Sequence, residues 1–162
     1  MGFPFSRCRP PHFSNLPAYS WILSVDRPSG TQSPWRISRL ILLRSGWTGS
    51  IFIVGWSAGT PVGFKLGYRL DETTFYSAKG GVREAYRRNG IARALLYAML
   101  DVVEARGYDR FVYDTFPNKH PGMTVMGLDE DFTVVRAGYS PRYQDYRLRF
   151  ALPLDETSDG PA

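Results

Sequence analysis

The stretch VREAYRRNGIARALL, residues 82–96, governs the reading of this chain. Val82 ends an apolar run of strand character, Arg87-Arg88-Asn89-Gly90 reads as a basic turn, and Ile91 opens an apolar-periodic helix. A helix N-terminus exposes unpaired N–H groups and a partial positive charge. Phosphate binds there when small residues let the backbone come close. Gly90 and Ala92 are small, and Arg87 and Arg88 add charge. The pattern Arg-x-x-Gly-x-Ala lacks the Lys-Ser/Thr of an ATP-type loop and the third glycine of a dinucleotide loop. A solvated strand-to-helix connection fits the same spacing, so the surroundings must decide.

Upstream, three strand-like runs follow one another closely: SIFIVGW (50–56), PVGFKLGYRL (61–70) and TFYSAKGGV (74–82). The turn residues between them predict an antiparallel meander. Downstream, Ile91, Leu95, Ala98/Met99 and Val102 mark one face of a helix over 91–106, closed by Gly107. RFVYDT (110–115) reads as a buried strand and MTVMGLDE (123–130) as a short helix. FTVVRAGY (132–139) and DYRLRFALPL (145–154) read as strands. Before the meander, Ser33-Pro34 is a cap-and-proline start, and Ile37, Leu40 and Ile41 follow at helical spacing. That spacing predicts a helix over 34–45.

The domain is read as residues 33–154, with a disordered tail at 155–162. Residues 1–32, with prolines at 4, 10, 11 and 17, are read as an irregular Pro/Arg-rich extension carrying a short strand at Tyr19 to Val25. A mis-assigned start codon is the alternative for that segment. No secretory core or membrane-length apolar run is present, and the location expected is cytoplasmic. The single cysteine, Cys8, excludes an intramolecular disulfide, and His12 and His120 lack ligand spacing, so no metal is expected. The net charge is +5, but residues 1–50 hold six arginines against one acid, Asp26. The remainder carries 14 basic and 14 acidic side chains. A nucleic-acid role would rest on the front segment alone, and the balanced remainder argues against it.

The order of meander, glycine turn, long helix and strand resembles the GNAT family of acetyl-CoA-dependent N-acetyltransferases. Its signature, Gln/Arg-x-x-Gly-x-Gly/Ala, is matched by Arg87, Gly90 and Ala92. The run FKLGYRLDETTFYSAKGGVREAYRRNGIARALL, 64–96, is similar to one branch of that family. The resemblance covers about residues 50–150. It implies an α/β (α+β) fold: a mixed, mostly antiparallel sheet of six to seven strands flanked by helices and splayed between the fourth and fifth strands. Acetyl-CoA would be the co-substrate. Its pantetheine arm would pair with the fourth strand around Gly80, Gly81 and Val82. Its pyrophosphate would sit on the amides of Arg88, Asn89, Gly90, Ile91 and Ala92, next to Arg87, and Asn118 would contact the arm. The acceptor would be a primary amine on a small molecule or peptide, attacking directly. A homodimer through the last strands is a habit of the family, although those strands could equally pair within one chain.

The chemistry needs a neutral amine, a donor for the thioester oxyanion and an acid for the departing thiolate. The Val82 amide or its neighbour is the implied donor. Many relatives carry a tyrosine in the short helix, but this chain has Met126-Gly127 at that position, with Asp131 where a glycine is usual. Tyr139 is therefore taken as candidate acid, with Tyr113 and Tyr143 nearby, and Asp114 as candidate base, with Glu72 and His120 behind it. For each, a satisfied tyrosine or a solvated carboxylate is the bland alternative. Lys79 either lines the acceptor side or reaches solvent. The missing tyrosine also fits a catalytically degenerate CoA-binding module.

Overall fold

The computed structural model describes residues 49–154 together with the backbone of 39–43. Among the described residues seven strands form one sheet in the order β1-β2-β3-β4-β5-β7-β6. They are β1 (Arg39–Leu43), β2 (Ile51–Ser57), β3 (Thr60–Arg69), β4 (Thr74–Val82), β5 (Arg110–Thr115), β6 (Thr133–Ser140) and β7 (Asp145–Pro153). Only β4 and β5 run parallel; every other neighbouring pair is antiparallel. Among the described residues two α-helices accompany the sheet, α1 (Ile91–Ala105) and α2 (Pro121–Asp129). The mixed, mostly antiparallel architecture agrees with the expectation from sequence.

One expected element differs. Residues 39–43, placed within a helix over 34–45, are strand β1, running antiparallel to β2 with Arg39 opposite Trp56 and Leu43 opposite Phe52. A short apolar run such as RLILL suits either period, and the pairing edge of β2 settles it. The flanks of that predicted helix, the strand at Tyr19 to Val25, the extension 1–32 and the tail 155–162 lie outside the described residues.

Strand β2 alternates, burying Ile51, Ile53 and Ser57 toward α1. Helix α1 lies across β2, β3 and β4 and buries Ile91, Leu95, Leu96, Met99 and Val103. Further along, Phe75, Phe111 and Phe150 are fully buried. The Tyr113 ring stacks on Phe150 at 5.2 Å and meets Phe132 edge-on.

Helix α2 sits over this aromatic layer, and Gly127 is where it comes closest. A Cβ there would overlap the Tyr113 hydroxyl and lie 3.0 Å from the Phe150 ring. That hydroxyl donates to the Met123 carbonyl at 3.1 Å, and burial pushes its pKa up. The ring cannot retreat without leaving Phe150. Gly127→Ala is therefore expected to cost about 2 kcal/mol by overpacking, read from urea denaturation; an unchanged midpoint would show that α2 can ride outward freely. Asp131, just after α2, holds φ of 61°, the left-handed conformation that a glycine takes most readily and that aspartate tolerates.

Candidate functional site

The two middle strands separate at a defined point. Pairing of β4 with β5 runs from Thr74↔Arg110 to Ser77↔Tyr113 and stops. At the next residue β4 bulges: Leu66 faces Lys79 while Gly67 faces Ser77, leaving Ala78 unpaired against β3. An extra residue bends its strand, and the second half of β4 parts from β5 there. Beyond the bulge, the Arg83 amide donates to the Val62 carbonyl at 2.9 Å. Alternation along an antiparallel pair then turns the N–H and C=O groups of Val82 and Gly80 away from β3, into the splay. Among the described residues no strand lies beside them, so the Val82 N–H and the groups of Gly80 are open to a ligand, while the Val82 carbonyl is taken by Arg87.

The polypeptide after β4 makes a short 3-10 turn, Glu84–Tyr86, and reaches α1 through Arg87–Gly90. Arg88 (φ 60°) and Gly90 (φ 76°) both adopt the left-handed conformation. For Arg88 this costs roughly 1–2 kcal/mol. Side chains hold the turn: Asn89 Nδ2 donates to the Tyr86 and Arg87 carbonyls at 3.2 and 3.0 Å, and Arg87 Nε donates to the Val82 carbonyl at 3.1 Å. Arg87 thereby fastens the turn to the end of β4. The first intrahelical bond runs from the Ala94 amide to the Gly90 carbonyl at 3.0 Å, and no side chain among the described residues caps the helix. The amides of Ile91, Ala92 and Arg93 thus present the uncapped positive end of α1. These are the features a diphosphate and a pantetheine arm require, and the residues present fit both.

On the sheet face away from α1, Asp114 is the first β5 residue past the last β4–β5 pair. Its carboxylate is not free. Arg149, directly opposite on β7, donates through Nε to Oδ1 at 2.7 Å and through its other arm to Oδ2 at 3.0 Å. The Tyr76 hydroxyl donates to Oδ2 at 3.3 Å. Burial first, and the Asp114 charge second, raise the Tyr76 pKa; the hydrogen bond to Asp114 raises that of Arg149. Tyr139 lines the same cavity as Asp114, and its ring meets Tyr146 at 5.5 Å. The structure therefore brings the two sequence candidates, Asp114 and Tyr139, to one cavity.

The others fall elsewhere. Asn118 donates through Nδ2 to Asp145 Oδ1 at 2.6 Å, tying the β5–α2 loop to the start of β7. Tyr113 is in the core, Tyr143 packs on Phe116, and His120 precedes α2. Tyr76, Arg147 and Arg149 escaped the sequence reading. The two-residue spacing of Arg147 and Arg149 marks a shared strand face, but their meeting with Asp114 is set by long-range register that no local pattern records.

No helix among the described residues is long and apolar enough to cross a membrane. A family model described as acetyltransferase (GNAT) family matches residues 16–123, beginning within the segment read as an extension. No curated protein matches the chain. Among solved structures, a GNAT-family protein from Desulfovibrio desulfuricans is 17% identical with TM-score 0.61, over 66% of this chain and 70% of that one. The ribosomal-protein-S18-alanine N-acetyltransferase of Escherichia coli is 15% identical with TM-score 0.60, over 71% and 76%. A GNAT family acetyltransferase from Elizabethkingia anophelis, solved with acetyl-CoA bound, is 14% identical with TM-score 0.60, over 65% and 77%. At these identities the likeness is one of fold. The family match spans most of the sequence and takes in the splayed strands and the glycine turn: the chain belongs to the GNAT acetyltransferase family.

Proposed function

We propose that this protein transfers an acetyl group from acetyl-CoA to a primary amine by direct attack. The observation that carries the reading is the pairing of an α1 N-terminus that no described side chain caps with the Gly80 edge and Val82 N–H of β4, the turn being fastened to that strand by Arg87 through the Val82 carbonyl. The pyrophosphate would lie on the amides of Arg88 to Ala92, and the pantetheine arm along Gly80 to Val82. The thioester would then come to rest toward the bulge, where the Gly80 N–H, the nearer of the two turned into the splay, is a donor for the oxygen that gains charge.

In the reaction the amine nitrogen bonds to the thioester carbon, the C–S bond breaks, and the amine releases one proton as the thiolate gains one. Holding the two reactants together supplies most of the acceleration. Asp114, gripped by Arg149 and Tyr76, serves in this reading as the anchor of the acceptor side, since accepting a proton would break its fork with Arg149. Tyr139, exposed and lining the cavity, is in this reading the hydroxyl that meets the thiolate, since the Tyr76 hydroxyl already donates to Asp114.

The test is calorimetric titration with acetyl-CoA, followed by mass spectrometry of a panel of amines. Saturable binding and acetylated product are expected. Folded protein that binds no acetyl-CoA overturns the reading. Binding without product from any amine points instead to a CoA-binding module that has lost transfer.

A further inference from the structure

The cavity that Asp114 shares with Tyr139 holds an excess of positive charge. Strand register places Asp114 opposite Arg149, and Arg149 opposite Arg136 on β6, so the three form one row across the sheet. Arg147, two residues from Arg149, lies on the same face and reaches Asp114 Oδ2 only at 3.9 Å. Asp114 neutralises Arg149 through a bidentate fork. Arg136 has no ion-pair partner among the described residues, and Arg147 is half exposed. Three guanidiniums therefore face one carboxylate around a cavity of about 210 Å³, completed by Tyr139 and Ser140.

Like charges directly opposite on neighbouring strands destabilise a sheet. Arg136 and Arg149 are such a pair, and nothing described compensates the second charge. Edge strands carry charge to repel other edges, which would account for Arg136 on β6. It does not account for Arg147 and Arg149, because β7 lies between β5 and β6. An anion that enters the cavity would relieve the repulsion, and guanidinium forks suit carboxylate and phosphate oxygens. The cavity begins one residue beyond the point where β4 and β5 part, beside the place assigned to the thioester.

We propose that the acceptor is a small amine carrying an anionic group, held by Arg136 and Arg147, with the Asp114–Arg149 pair as the fixed frame that aims them. This names the substrate class of the site and rests on the acetyl-transfer reading. The amino group would lie a few bonds from the anion and project into the splay.

The test compares matched acceptors: β-alanine with β-alaninamide, and O-phosphoethanolamine with ethanolamine. Both kcat/KM and binding, followed by ligand-detected NMR without acetyl-CoA, are measured. At least one anionic member is expected to exceed its neutral partner by roughly tenfold or more, and the better of the two arms tells carboxylate from phosphate. Arg136→Gln and Arg147→Gln should each pull that ratio toward one; both side chains are exposed enough for the variants to fold. Equal or better use of the neutral amines overturns the proposal, as does a failure of both anionic amines to bind or react while acetyl-CoA still binds. If acetyl-CoA does not bind, the transfer reading fails separately, and the NMR comparison alone decides the anion site.

Discussion

Replacing Gly90 by glutamate is expected to weaken acetyl-CoA binding by roughly a hundredfold or more, a loss approaching 3 kcal/mol. Two costs combine. Gly90 sits at φ 76° and ψ 5°, where a residue with a Cβ is strained by roughly 1–2 kcal/mol. The new carboxylate would also stand at the uncapped end of α1, where it competes for the amides of Ile91 and Ala92 and repels a diphosphate. Gly90→Lys separates these effects, because it carries the same backbone strain with the opposite charge. The lysine variant should bind at least tenfold more tightly than the glutamate variant when both are titrated by calorimetry at low salt. Equal affinities would reduce the turn to a matter of shape. A folded glutamate variant that binds like the parent would remove the diphosphate from the turn altogether.

That turn was legible in the sequence because its features are local. Small residues at 90 and 92, arginines beside them and a helix of clear period need no knowledge of distant contacts. The meander was legible for the same reason, and strands predicted at 50–56, 61–70 and 74–82 lie at 51–57, 60–69 and 74–82. What escaped depends on register. RLILL suits a helix as well as a strand until β2 offers an edge. The Asp114–Arg149 fork joins residues 35 apart, and nothing near either one announces the other. Even Gly127 within α2 has a reason that only packing shows. At Gly127 the Tyr113 phenol, supplied by β5, fills the space any side chain would need.

Lys65 should make the protein more stable as pH rises from about 8 toward 10, against the usual trend for a protein approaching alkaline denaturation. Its register partners are Ile53 on β2 and Gly80 on β4, so it shares the face that packs under α1, and only 6% of it is exposed. No ion-pair partner is found for it among the described residues. Burial lowers its pKa from 10.5 to about 8. Below pH 8 the ammonium is charged in both folded and unfolded chains, and folding bears the whole cost of burying it. Between pH 8 and 10.5 the folded chain has released a proton that the unfolded chain still holds, so stability climbs with pH. Above that range both forms are neutral and the cost is gone, a span of roughly 3 kcal/mol. Lys65→Met keeps the unbranched shape and removes the charge. It should be more stable than the parent at pH 7 by up to about 3 kcal/mol, and the difference should shrink toward zero by pH 10.5. Denaturant melts of both proteins at matched pH isolate this one group, because the remaining lysines and tyrosines cancel in the difference. If the methionine variant is the less stable at pH 7, the ammonium has a partner worth more than its burial costs. If the difference is the same at every pH, Lys65 does not titrate in this range, and its stem alone sets its contribution.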